Sequence, residues 1–85
     1  MALDTFEHSA ARMDAIAAQL ELARQHAATA ALRFREALPP RAGAHAFAAM
    51  GHIRQARNLL DEAAIAFAQH SEPHEADEAP RDTAD

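Results

Sequence analysis

Leu38-Pro39-Pro40-Arg41-Ala42-Gly43 is the stretch that divides this chain. Two adjacent prolines fix φ, remove two backbone donors and push the residue before them out of the α region. A helix arriving from the N-terminal side is therefore predicted to stop near Leu38. Pro40 is placed to open a new helix as its first residue, where a missing N–H costs nothing. On either side run Ala-rich stretches with no further proline before Pro73. The expectation is a helix over about 4–38, a turn at 38–43 and a returning helix over about 42–70.

Working outward, Asp4 and Glu7 have the spacing of a capping box and suit a helix N-terminus. Thr5 to Leu38 holds no Gly or Pro and consists mostly of good helix formers. Such a helix would be roughly 50 Å long. Phe6, Met13, Leu20, Ala27 and Phe34 recur every seven residues, and Ser9, Ile16, Ala23, Ala30 and Ala37 recur beside them. After the turn, Ala46, Ile53, Leu60 and Phe67 form a larger series, and Ala42, Ala49, Ala56 and Ala63 a smaller one.

An antiparallel hairpin keeps a constant sum of facing residue numbers, and both series obey that rule. The larger pairs as Phe34–Ala46, Ala27–Ile53, Leu20–Leu60 and Met13–Phe67; the smaller as Ala37–Ala42, Ala30–Ala49, Ala23–Ala56 and Ile16–Ala63. Two independent patterns agreeing on one register predict an all-α, antiparallel two-helix hairpin, an Ala-rich coiled coil. Both series are expected in its seam, large side chains interdigitating with alanines. Gly43 and Gly51 fall within the second helix, where each costs about 1 kcal/mol relative to Ala. A frayed start and a tolerated defect explain them; close approach of another helix is the alternative at Gly51.

Eighty-five residues make one small domain, and its large apolar side chains are few. A core this thin is expected to be completed, as a four-helix bundle, by dimerisation or by a partner. There is no cysteine, which removes disulfides and thiolate chemistry. All eight basic residues are arginine; with the heavy alanine usage, this is the composition of a GC-rich bacterial genome. The start carries no secretory signal and no apolar run reaches the ~18 residues of a membrane span, so a cytoplasmic location is expected. Leaderless export would look the same. Residues 1–70 balance seven acids with seven arginines, so the net charge of −5 belongs to 71–85, read as a disordered acidic tail.

Few side-chain constellations carry chemistry. His26 and His52 are placed to meet on the flank beside the small series, with His45 one heptad before His52. These three define the alternative reading, a metal- or pH-responsive binding protein, although a zinc site wants three or four ligands and no acid adjoins them. Surface histidines are the simpler explanation. Arg24 and Arg57 face one another on the opposite flank, near Glu21 and Asp61 respectively. They read as a small charge network or, alternatively, as a docking point for an anion. With two serines and no Cys, Tyr, Trp or Lys, catalysis has no nucleophile–base pair, so no enzyme and no cofactor is expected. A neutral body with an acidic tail disfavours nucleic acid, and no membrane partner is expected.

A hairpin of this size and alanine content resembles the small Trp-x-Gly hairpins exported by type VII secretion. Its turn departs from theirs, reading Leu38-Pro39-Pro40-Arg41-Ala42-Gly43 without Trp. Phe67 is followed four residues on by Ser71, not by the acidic residue of their export signal. Asp14–His70 is also similar in outline to the helical-hairpin co-chaperones of type III secretion needle subunits. No functional residue is carried over from either. The function expected is binding of another protein, or of a second copy as a homodimer, as an adaptor, chaperone or assembly factor. The leftover apolar residues expected to do it are Leu3, Phe6, Ala28, Ala31, Leu32, Leu38, Phe47 and Met50.

Overall fold

The computed structural model describes residues 2–69, 71 and 73, with side chains from residue 6 onward. It is the antiparallel hairpin of two helices, α1 over Ala2–Arg35 and α2 over Pro39–Gln69, packed along their length. The tail from residue 74 and the side chain of Leu3 lie outside the described residues. No described helix is long and apolar enough to cross a membrane.

The turn sits earlier than the prolines alone indicate, at 36–38 and not 38–43. Ala37 adopts φ of 60°, and its N–H reaches the Phe34 carbonyl while the Leu38 N–H reaches that of Arg33. These are the paired bonds of a Schellman motif, in which a left-handed residue closes a helix. Here Ala occupies the position Gly usually fills, so Ala37 is a turn residue and not the seam partner of Ala42. The Leu38 carbonyl already accepts the Ala42 N–H, which makes Leu38 the N-cap of α2. Pro39, not Pro40, is then the first helical residue. Both prolines fall among the first helical N–H positions, which have no intrahelical acceptor, so neither costs a hydrogen bond.

α1 begins at Ala2, so Asp4 lies inside its first turn and is not its cap. At the far end Ser71 closes α2: its N–H reaches the Ala68 carbonyl and its hydroxyl donates to the Phe67 carbonyl.

The core is the small series alone. Among the described residues, Ile16, Ala23, Ala30, Ala42, Ala49 and Ala56 are the buried ones, none more than 8% exposed. The larger series, which heptad spacing places in the seam beside the small one, lies outside it. Phe6, Met13, Leu20, Phe34, Ile53, Leu60 and Phe67 are 47–78% exposed. Two helices have one line of closest contact, and alanines let the backbones approach nearest along it. The stripe one step round each helix then falls on an open side. Neither glycine marks a close approach, since a Cβ at Gly43 or Gly51 would meet nothing within 4 Å.

Candidate interaction face

The buried seam separates two long open sides of the hairpin, and they differ in chemistry. Successive residues turn 100° about a helix axis, so a position three or four residues from the seam lies about 50° to one side of it. On one side α1 presents Arg12, Gln19, His26 and Arg33, and α2 presents His45, His52, Leu59 and Ala66. On the other, α1 presents Phe6, Met13, Leu20, Ala27 and Phe34, and α2 presents Ala46, Ile53, Leu60 and Phe67. One side is polar and the other is a continuous apolar strip.

The polar side is stitched together. His26 lies between His45 and His52, its ring centroid 5.3 Å from the first and 5.4 Å, nearly parallel, from the second. The Nδ1 atoms of His26 and His45 are 3.0 Å apart, so one ring donates and the other accepts. His52 Nδ1 donates to the Gln19 amide oxygen at 2.7 Å. All four side chains are half-buried. These contacts fix the register from the side opposite the apolar strip. Among the described residues, no group of three or more His, Cys, Asp or Glu is arranged to hold a metal ion.

The apolar strip has no such closure within the chain. At the end away from the turn, an open cleft of about 950 Å³ lies between the helices, lined by Phe6, Met13, Leu60 and Phe67 of the strip and by His8, Ser9 and Arg12 across the seam from it. The strip is flanked by two arginines that are held by their own helices. Arg24 makes a two-point contact with Glu21, Nε–Oε1 at 3.0 Å and Nη2–Oε2 at 2.9 Å. With Gln25 adding a third hydrogen bond, the Glu21 carboxyl is lowered from its ordinary 4.5 to about 2, Arg24 being the main cause. The Arg24 guanidinium is raised by the same contact. Arg57 is held more loosely, its Nε 3.8 Å from Asp61.

The residues expected to bind a partner scatter around this strip. Phe6 belongs to it. Ala31 and Met50 lie about 40° beyond it, Ala28 and Phe47 about 100°, and Leu32 about 140°, which places Leu32 on the back of α1 and not on that flank. Leu38 is the N-cap in the turn. Heptad spacing alone places the strip's main residues, Met13, Leu20, Ile53, Leu60 and Phe67, in the seam. One question separates the two stripes: a hairpin has a single seam, and of two apolar stripes the one with smaller side chains closes it.

In comparisons with known proteins, no family matches the chain, and no curated protein or solved structure matches it. The fold and this strip therefore carry the functional reading.

Proposed function

We propose that this chain is a non-enzymatic protein-interaction module, an adaptor, chaperone or assembly factor, whose apolar strip is covered by other helices. One observation carries the reading. The hairpin buries Ile16 and five alanines while nearly every larger side chain stays exposed, seven of them aligned on one side. Contiguous apolar surface of this kind marks an interaction site, and a helix pair open on one side lacks the second layer that domains are built from. Helices are the fitting occupant, because the strip is a groove between two ridges at helical spacing.

The test is site-specific photo-cross-linking in the cells that make the protein. A photoreactive residue replacing Leu20 or Leu60 is expected to trap a protein, while one replacing Gln25 or Asn58 on the backs of the helices traps little. Equal yields at all four positions would overturn the reading.

A further inference from the structure

Resting on the reading that the apolar strip is an interaction surface, we propose that its occupant is a second copy of this chain. The copy lies face to face with the first, turns at opposite ends, the two-fold axis passing through the Leu20–Leu60 layer. The argument starts from charge. One step beyond the strip, on the side a second layer would touch, α1 presents Ala10, Ala17, Arg24 and Ala31, and α2 presents Gly43, Met50, Arg57 and Ala64. Apart from Met50, these stripes are small, like the buried seam, and each carries one arginine. The outer edge of α1 then carries Glu7, Asp14 and Glu21 toward the open end and Arg35 toward the turn. That edge is acidic at one end and basic at the other, so it complements a second copy of itself running antiparallel.

Symmetry selects among the dimers. With the turns at the same end, the two-fold runs along the helices and leaves no freedom to slide. Arg24 then stands against Arg57 of the second copy, twice over. With the turns at opposite ends, α1 packs on α1 and α2 on α2, and the axis can take any heptad layer. Set midway between the Leu20 and Ala27 layers, it opposes Arg24 to Arg24. Set through Leu20 and Leu60, it seats Arg24 on Ala17 of the second copy, within reach of its Asp14. The same register seats Arg57 on Ala64 beside Asp61, and brings Arg35 to Glu7. No arginine faces an arginine, and Glu21 and Asp61, which meet their own copies near the axis, each keep an arginine of their own helix beside them, Arg24 and Arg57.

The apolar layers agree with the choice that charge makes. Leu20 and Leu60 meet their own copies at the axis. Met13 and Phe67 lie over the smaller pair Ala27 and Ile53, and Phe6, which overhangs within one chain, meets Phe34 and Ala46. The Met13–Phe67 layer thus falls on a smaller one, while Leu20, Leu60 and the Phe6–Phe34 pair meet side chains of like size, all of them apolar as the inside of a four-helix bundle requires. The contact is isologous, each strip filling the other.

The chain has no cysteine, so a single spin label is clean. Placed at Glu36→Cys in the turn of the full-length protein, it is expected to give a label–label distance of about 50 Å in the dimer, twice the helical rise from Leu20 to the turn. Turns at the same end would give less than about 20 Å, the width of a bundle, and would overturn the arrangement. Sedimentation is expected to show a dimer at tens of micromolar. Arg24→Asp should weaken it several-fold, and adding Asp14→Arg should restore most of the affinity; an unaffected Arg24→Asp, or a double variant no tighter than the single, would overturn the register. A monomeric wild type overturns self-association altogether. If cross-linking from Leu20 still traps a different protein, the interaction reading survives that failure.

Discussion

Ala37 is the residue at which the fold is most improvable. Its φ of 60° places it in the left-handed region, where a Cβ costs roughly 1–2 kcal/mol and Gly costs little. Ala37→Gly should stabilise the hairpin by about 0.5–1 kcal/mol, the gain being trimmed by the freedom Gly brings to the unfolded chain. Chemical denaturation reads this directly, and a loss of stability would mean the Schellman turn is not what joins the helices. Gly51 is the mirror case. It is helical with nothing near the position of a Cβ, so Gly51→Ala should also stabilise by about 0.5–1 kcal/mol. The Glu21–Arg24 contact matters less to stability because both groups are exposed. Its sign is nevertheless fixed. The carboxyl is lowered on folding, so its contribution is present above about pH 4.5 and fades as pH falls toward 2.

At the scale of the element, the small seam makes the helices a pair. Alanines at Ala23, Ala30, Ala49 and Ala56 bury little area each but let the backbones close. Ala49→Leu should therefore force the helices apart and cost about 1–3 kcal/mol. Ala18→Leu, on the exposed back of α1, should change stability by less than about 0.5 kcal/mol. Equal effects at the two sites would contradict the seam. This register was legible from the spacing of Ile16, Ala23 and Ala30 against Ala49, Ala56 and Ala63, and so was the meeting of His26 with His52 across the polar side. The inside and outside of the apolar repeat were not. Heptad spacing marks Leu20 and Ala23 equally, and only the requirement that two helices share one line of contact sends Leu20 to the surface. The turn was displaced for a similar reason: proline signals where a helix cannot continue, whereas the stop is made by Ala37, a residue whose type gives no hint of positive φ.

The whole molecule is a single layer of two helices with an apolar side left open. Ordering its helical residues costs roughly 1–2 kcal/mol each in backbone entropy, against which a seam of alanines offers little apolar burial. A covered strip changes that balance, and Leu60→Glu separates the two situations. Leu60 is about half exposed in the single hairpin. If the strip faces water, a glutamate there is an ordinary surface substitution worth less than about 0.5 kcal/mol. If the strip is covered, the variant loses a buried leucine and gains a carboxylate in an apolar layer, a loss of at least about 2 kcal/mol. Such a loss corresponds to a fall in Tm of about 10 °C for a domain of this size. The covered case is expected, with a second signature. Because association stabilises by mass action, the wild-type Tm should rise with protein concentration, while that of Leu60→Glu should not. Circular dichroism melts over a hundred-fold range of concentration check both, and two superimposable, concentration-independent curves would show that the strip is left bare.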